Sequence, residues 1–279
     1  ILRCLVGSEM CIRDRSIEKI ILCVLASMMV IVMTGNSAFA AGTSETETPP
    51  TLQEMRSYLL SIGTEEEFLN DIDENRIEKL YWTCVGKEVS FVGYEKEIVE
   101  IQDGDPRLRG QIATSKLQLG MAVYEFTANG GTIVTGLNVS TSYKWLSDPF
   151  LHWTDAHTFN FDGSKFKIGG IYAESGYQVE KLWLRVDSVD APAKAVDGGI
   201  GWYLSIAKGD LSNSYTNSGG AEIYLIPRSG SETKASLSSS MYYGYAHQTA
   251  LGSISFNVSG IGVSFGNGSY DYQTKIYNY

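Results

Sequence analysis

The strongest pattern along the chain is a run of alternating apolar and polar positions that ends at Trp145. Seven residues of this run share one side of an extended chain: Ile133, Thr135, Leu137, Val139, Thr141, Tyr143 and Trp145. Because successive side chains of a strand point to opposite faces, a period of two over this length predicts a half-buried β-strand. Asp148 and Pro149 follow and predict its end, since proline has no amide hydrogen to donate.

Shorter apolar runs, separated by glycine, proline and other turn residues, predict further strands. They cover residues 111–126, 132–145, 158–161, 165–173, 179–189, 201–207, 221–226, 237–247, 253–258 and 262–265, with a last edge strand at 270–279. Turns recur about every 8–15 residues, close to the spacing of a sandwich or barrel. We therefore predict a mainly β protein with an antiparallel β-sandwich at 106–279. Residues 87–101 alternate loosely and leave both a strand and a link open.

Residues 51–105 show helical spacing instead. Thr51 and Glu54 match a capping box, in which each side chain accepts a hydrogen bond from the other residue's amide. An apolar stripe at helical spacing follows, made of Leu52, Met55, Leu59 and Ile62. Gly63 predicts the C-terminal cap of this first helix.

Two more short helices are predicted in the same region. A second capping box, Thr64 with Glu67, precedes Phe68, Leu69 and Ile72. A third helix is predicted to begin after Asp73 and to end at Gly86. The three helices form a small unit that precedes the sandwich and either docks on it or acts as a partner-binding hairpin.

The N-terminus carries segments that we set apart from the folded protein. Residues 5–15 (LVGSEMCIRDR) resemble the translation of a transposon adapter used for sequencing libraries, so residues 1–15 are interpreted as an artefact. Residues 16–40 have the layout of a secretory signal peptide, with Lys19, an apolar stretch at 20–32 and an A-x-A motif. The apolar stretch is shorter than the ~20 residues of a membrane-spanning helix. We predict secretion with cleavage after Ala40, and a polar linker at 41–50.

Cysteine usage and charge narrow the function classes. After residue 40 the sequence keeps one cysteine, Cys84, so no disulfide is expected within one molecule. Its place on the apolar stripe of the third helix predicts a buried, inert thiol. Residues 41–105 hold 16 acidic and 5 basic residues, whereas residues 106–279 hold 13 of each. Because binding to nucleic acid requires a basic stripe, we predict no nucleic-acid partner.

Candidate metal chemistry is limited to the neighbourhood of two histidines. His152, Asp155 and His157 form an H-x-x-D-x-H cluster, whose nitrogen and oxygen donors suit zinc. An odd separation, however, places His152 and His157 on opposite faces of a straight strand. We therefore predict no metal and no cofactor, and we interpret Asp155 as a turn-capping residue beside histidines at the sheet rim.

Two hydrolase arrangements remain open as alternatives. Asp155 and Asp162 are the candidates for a carboxylate pair, which needs a separation of ~5–10 Å across a cleft. His247 is the candidate base of a Ser–His–Asp triad, since triads are assembled in space rather than in sequence. The sequence has no G-x-S-x-G, H-E-x-x-H or C-x-x-C motif that would support either arrangement.

Aromatic residues are the more informative group. The chain has 17 tyrosines, and several lie beside glycine and serine in the β part. Tyrosine presents a rigid, half-polar surface that suits sugars or proteins, although ordinary cross-strand packing accounts for the same pattern. The predicted binding residues are Trp145, His152, Trp153, Asp155, His157, Tyr243, Tyr245 and His247.

Several short motifs resemble uncharacterised secreted proteins of Gram-positive bacteria. One is the segment M-x-x-Y-L-x-S-x-G-x-x-E-E-F-L-N-D from Met55 to Asp71. Further matches are Tyr143-Lys144-Trp145, Pro149, Thr154-Asp155, Phe161-Asp162 and Tyr245-Ala246-His247-Gln248-Thr249. The resemblance implies export and a β-rich domain, and it implies no activity. Phe161 and His152 stand where the group has tryptophan and arginine, which weakens a metal role for His152.

The expected function is that of a secreted, non-catalytic binding or cell-envelope module. Its expected partners are a cell-wall glycan or an extracellular protein. A hydrolase with a site near Asp155 is one alternative. A membrane-acting, pore-forming or antimicrobial β protein is another, because residues 236–269 carry no Lys, Arg, Asp or Glu and alternate in part. A soluble sandwich strand gives the same alternation.

Overall fold

The structure is a computed structural model that describes residues 49–103, 113–147, 154–179, 182–188, 194–205, 218–248, 256–259, 262–265 and 270–279. The predicted artefact, the signal peptide with its cleavage site after Ala40, and most of the linker lie outside these ranges. Pro149, His152 and Trp153 lie outside them as well. Among the described residues, no helix is both long enough and apolar enough to cross a membrane.

Three helices open the described chain: α1 Leu52–Ser61, α2 Glu66–Asp71 and α3 Glu74–Cys84. The predicted capping box of α1 is confirmed. The Thr51 hydroxyl accepts from the Glu54 amide at 3.3 Å, and the Glu54 carboxylate accepts from the Thr51 amide at 2.7 Å. Gly63 follows α1 with φ = +92°, a conformation that favours glycine. Asp73 caps α3 by accepting from the Arg76 amide at 3.1 Å.

The second predicted capping box, Thr64 with Glu67, is wrong. The N-cap of α2 is Glu65, which makes no side-chain capping hydrogen bond. The Thr64 hydroxyl instead lies 3.2 Å from the Tyr124 hydroxyl in the protein interior. A buried hydroxyl is costly to leave without a partner, so the tertiary contact takes precedence over the local cap.

The described strands are β1 Val89–Asp103, β2 Ala113–Ala128, β3 Ile133–Trp145, β4 Thr154–Asn160, β5 Phe166–Val179, β6 Leu182–Ser188, β7 Lys194–Val196, β8 Gly199–Ser205, β9 Ser218–Pro227, β10 Ser240–Gln248, β11 Phe256–Ser259, β12 Gly262–Phe265 and β13 Tyr270–Asn278. They form two large antiparallel sheets and one two-stranded sheet. Sheet A has the order β1-β2-β3-β9-β5-β6, sheet B has the order β13-β10-β4-β8-β7, and β11 pairs with β12. A short helix, α4 (Lys234–Leu237), joins β9 to β10.

The predicted fold class is confirmed, because sheets A and B pack against each other around one core. The core takes alternate residues from each strand: Leu137, Val139, Tyr143 and Trp145 on β3 meet Phe159, Trp202, Tyr243 and Tyr245 of sheet B. Burying one apolar side chain of this size, relative to leaving it in water, stabilises the folded state by about 1.5–3 kcal/mol. The strand left open at residues 87–101 is β1, which pairs with β2 along its whole length. Sheet A therefore begins before residue 106, where the sequence placed the start of the sandwich.

The predicted buried face of β3 holds over most of the strand and fails at its start. Phe126 pairs with Gly136 and Thr127 with Val134, so Thr135 forms a bulge. An extra residue in one strand reverses which side chains face the core. Val134 is therefore buried, whereas Ile133 is only half-buried.

The helices cover the other face of sheet A. Phe68, Leu80 and Cys84 belong to a second core cluster with Ala122, Tyr124 and Phe126 of β2. The helical unit thus docks on the sandwich, which settles the choice left open by the sequence. Cys84 is buried, and burial raises the pKa of its thiol to about 12, as expected of an inert cysteine.

The β11–β12 hairpin packs on the outer face of sheet B. Its Phe256 and Val258 side chains fill the space above Gly201 and Gly199 of β8, where a Cβ atom would collide with them. The Phe256 ring also lies 4.8 Å from the ring of Tyr203, measured between centroids. The glycines of β8 therefore form the seat of this hairpin.

Candidate functional site

The structure brings together the predicted binding residues that it describes. Trp145 lies on β3 of sheet A, and the others lie on β4 and β10 of sheet B: Asp155, His157, Tyr243, Tyr245 and His247. Tyr245 pairs with His157 in the β4–β10 register, so the odd-numbered residues of both strands point into the core. His152 and Trp153 are outside the described residues.

Asp155 is the centre of a buried hydrogen-bond network. The Tyr245 hydroxyl donates to Asp155 Oδ2 at 2.6 Å, and the Gln248 amide donates to Oδ1 at 3.3 Å. His247 Nδ1 lies 2.9 Å from Oδ1 and 3.1 Å from Oδ2. Trp145 Nε1–H donates to the Tyr245 hydroxyl at 3.2 Å. These bonds join the two sheets.

The electrostatics of this network follow from its burial. Asp155 and His247 are 0% exposed. Burial raises the pKa of the Asp155 carboxyl, and the hydrogen bonds from His247 and Tyr245 oppose that rise. Burial also raises the pKa of Tyr245 well above its ordinary value, and the adjacent Asp155 adds to the effect.

These positions correct the turn-cap interpretation of Asp155 and the rim position predicted for His157, whereas His152 lies outside the described residues. Asp155 and His157 lie on β4 in the interior, where Asp155 holds side chains from β10 rather than its own backbone turn. Sequence reasoning took the polar character of these residues as a sign of a surface loop. The β4–β10 pairing instead satisfies Asp155 internally, which allows a carboxyl group to be buried.

His157 lies in an aromatic enclosure next to this network. Its ring centroid is 4.6 Å from that of Trp202 and 6.1 Å from those of Tyr143 and Tyr243. Neither ring nitrogen of His157 has a hydrogen-bond partner among the described residues, and the same holds for Trp202 Nε1 and the Tyr243 hydroxyl. Burial, reinforced by the charge of Arg76, lowers the pKa of His157 to about 3. The imidazole is therefore neutral at ordinary pH.

The network has the parts of an acid–base pair and lacks access for a substrate. An Asp–His contact of this geometry orients the base in hydrolases. A general base must, however, reach the proton it abstracts at hydrogen-bond distance, and both side chains are enclosed by the core. Asp162 lies beyond the other end of β4, roughly 20 Å away at ~3.3 Å per residue, which is too far for a carboxylate pair.

Among the residues that the structure describes, no group of three His, Cys, Asp or Glu side chains is placed to hold a metal ion. Within the H-x-x-D-x-H cluster, Asp155 binds His247 and His157 faces aromatic rings. The arrangement of these two residues therefore serves packing rather than ligation.

A second buried polar group was missed by sequence reasoning. Arg76 of α3 lies against the face of sheet A that the helices cover and is 1% exposed. Its Nη2 donates to Glu222 Oε1 at 2.7 Å, to Ser140 Oγ at 2.6 Å and to the Thr141 carbonyl at 2.8 Å. Asn138 Nδ2 donates to Glu222 Oε2 at 2.8 Å. This network fastens α3 to sheet A.

The sequence did carry a signal for this pair. Arg76 precedes Leu80 by four residues and therefore lies on the buried stripe of α3. Glu222 stands between Ala221 and Ile223, on the face of β9 opposite the sandwich core. Burial raises the pKa of Glu222, and the charge of Arg76 opposes that rise. Gly220 leaves room for the Arg76 guanidinium, since a Cβ there would collide with it.

A cleft of about 320 Å³ opens beside the Arg76 network. It lies between the helices and the end of sheet A where Lys144 pairs with Ser218. Its lining combines apolar side chains with charged groups of both signs: Leu52, Arg56, Leu69, Asn70, Asp71, Ile72, Asp73, Glu74, Asn75, Arg76, Ile77, Tyr143, Lys144, Ser218 and Gly219. A volume of this size is at the lower end of the range for small-molecule sites, roughly 300–1,000 Å³.

Comparisons with known proteins add no assignment. No protein-family model matches the chain, and no curated protein matches it. The geometry of the two buried networks and of the cleft is therefore the basis for a functional conclusion.

Proposed function

We propose that the protein is a secreted, non-catalytic binding module of the cell envelope, and that the cleft beside Lys144 is its binding site. The observation that carries this proposal is the contrast between the cleft and the Asp155 network. The cleft is open and lined by charged groups, whereas Asp155 and His247 are enclosed in the core. A binding role requires an open cleft. Hydrolysis would require Asp155 and His247 to be accessible to a substrate.

The extracellular setting rests on the sequence. Residues 16–40 have the basic, apolar and small-residue parts of a signal peptide. Cys84 is buried and forms no disulfide, so an exported fold of this kind must be stable without one. The hydrogen bond between Trp145 and Tyr245, which joins the two sheets, suits that requirement. Short polymers or peptides exposed at the cell envelope are the ligands that such a module would encounter.

Sedimentation with purified Gram-positive cell walls tests this proposal. The protein should be depleted from solution by the walls, and Lys144→Glu should weaken that binding at least tenfold. Lys167→Glu is the matched control, because Lys167 is exposed on β5 at the opposite end of sheet A. A protein that remains fully in solution at micromolar concentration, with walls in excess, contradicts the proposal.

A further inference from the structure

We infer that the cleft takes a short peptide ligand with a free carboxylate and a free ammonium group, rather than a neutral sugar. This inference rests on the proposed function and specifies the ligand of the same site. Three observations support it. The helices cover only part of the outer face of sheet A, and the cleft lining contains charged side chains without an ionic partner among the described residues. The described lining also has no exposed aromatic ring.

The outer face of sheet A is apolar at one end and polar at the other. Ala122, Tyr124 and Phe126 of β2 form the apolar end, and the helices cover them. Toward the other end the same face carries Ser142 and then Lys144, opposite Gly120 and Gln118 of β2, since residues two apart share a face. The helices would bury little apolar surface by extending over Lys144, and the cleft lies there.

Lys144 supplies the cation of the cleft. Its side chain is half-buried, and no hydrogen bond or ion pair joins it to another described residue. The two arginines of the lining are engaged instead. Arg56 donates to the Leu69 carbonyl at 2.8 Å and to Asn70 Oδ1 at 2.6 Å, and Arg76 is paired with Glu222. A carboxylate bound in the cleft would therefore meet the Lys144 ammonium as its counter-ion.

Glu74 supplies the corresponding anion. It lies in the first turn of α3, is exposed, and makes no hydrogen bond or ion pair with another described residue. The neighbouring acids have partners, because Asp73 caps α3 and Asp71 accepts from Tyr94 and Lys96. Glu74 on α3 and Lys144 on β3 thus add one negative and one positive group to the cleft lining. A zwitterion complements both, whereas a neutral ligand complements neither.

A sugar fits this lining less well. Sugars stack on flat aromatic faces, and tyrosine and tryptophan provide such faces in proteins. The aromatic residue of the cleft lining is Tyr143, which is 2% exposed and turns its ring toward Tyr245 in the sandwich core. The lining offers the half-buried Leu52 instead, which suits the methyl group of a small amino-acid side chain.

Isothermal titration with three probes tests the ligand class. The probes are free trialanine, trialanine capped by N-acetylation and C-amidation, and the neutral trisaccharide of N-acetylglucosamine. We expect free trialanine to bind, capping to weaken binding at least tenfold, and the trisaccharide not to bind. Lys144→Glu and Glu74→Lys should each abolish the preference for the free peptide. Lys167→Glu and Glu78→Lys, at exposed sites outside the cleft lining, should retain it.

Cell walls stripped of their peptides separate this inference from the proposed function. The protein should bind intact walls and should not bind stripped walls. Equal binding to intact and stripped walls, or a trisaccharide that binds better than trialanine, overturns the peptide ligand and leaves the binding function standing. Failure to bind intact walls and all three probes overturns both.

Discussion

Tyr245 donates a hydrogen bond of 2.6 Å to Asp155 across the β10–β4 pair, and it accepts one of 3.2 Å from Trp145 on the opposite sheet. One hydroxyl therefore links three strands and two sheets. Tyr243, two residues earlier on the same strand, is equally buried, yet its hydroxyl has no partner among the described residues. The two tyrosines form a matched pair for measuring what the network contributes.

We expect Tyr245→Phe to lower the free energy of unfolding by about 1–3 kcal/mol, because it leaves a buried carboxyl without one of its donors. Tyr243→Phe removes a hydroxyl that has no described partner, so it should change that free energy by no more than about 0.5 kcal/mol. Urea denaturation with unchanged m-values measures both. Equal losses in the two variants would show that the Asp155 network does not stabilise the fold.

Removing one partner of the Arg76–Glu222 pair should lower the free energy of unfolding strongly, whereas replacing both partners by apolar residues should lower it much less. Arg76→Met leaves the Glu222 carboxylate buried without its cation, which should cost about 3–5 kcal/mol. The double variant Arg76→Met with Glu222→Leu removes both charges and should recover most of that loss. Chemical denaturation of the two single variants and the double variant gives the coupling energy. A double variant no more stable than Arg76→Met alone contradicts a charge-based explanation.

The sequence predicted those features that depend on neighbouring residues. The capping box of Thr51 and Glu54 forms as expected, and the alternation that ends at Trp145 forms from Leu137 onward. These patterns succeed because their partners lie within a few residues or on the same strand. The same reasoning failed for Thr64, whose hydroxyl bonds to Tyr124, 60 residues away, rather than to the start of α2.

The buried networks needed information that the sequence does not hold locally. Asp155 and His247 are 92 residues apart, and only the β4–β10 register brings them together. Both were predicted as binding residues for their chemistry, and their position in the core could not be read from their polar character. Arg76 was missed because its charge suggested solvent, although its spacing from Leu80 placed it on the buried stripe.

The seat of the β11–β12 hairpin is expected to be specific to glycine. Gly199→Ala would place a Cβ against Val258 and 2.9 Å from Asn160 Nδ2, so something must shift. Overpacking of this kind costs about 1–3 kcal/mol. Adding Val258→Ala removes the colliding methyl groups and should restore part of the loss, which thermal denaturation of both variants would show. If the stability losses of Val258→Ala and Gly199→Ala simply add up in the double variant, the hairpin does not pack on Gly199.

His157 should make the fold sensitive to acid. Its pKa is lowered from 6.5 to about 3 by burial, so the folded state stays unprotonated while the unfolded state takes up a proton below pH 6.5. Stability is therefore unaffected by this group above pH 6.5, and it falls toward pH 3 by up to about 1.4 kcal/mol per pH unit. Burial raises the pKa values of Asp155 and Glu222, which acts in the opposite direction.

Comparison with a variant isolates the histidine from those carboxyl groups. His157→Leu should lose less stability than the wild type between pH 7 and pH 4.5, as measured by urea midpoints at each pH. Tyr243→Phe alters the same enclosure without removing the imidazole, so its curve should run parallel to that of the wild type. The imidazole carbon resonances of His157 should also stay constant over this range. A midpoint near pH 6 in that NMR titration would mean that solvent protons reach the ring in the folded protein.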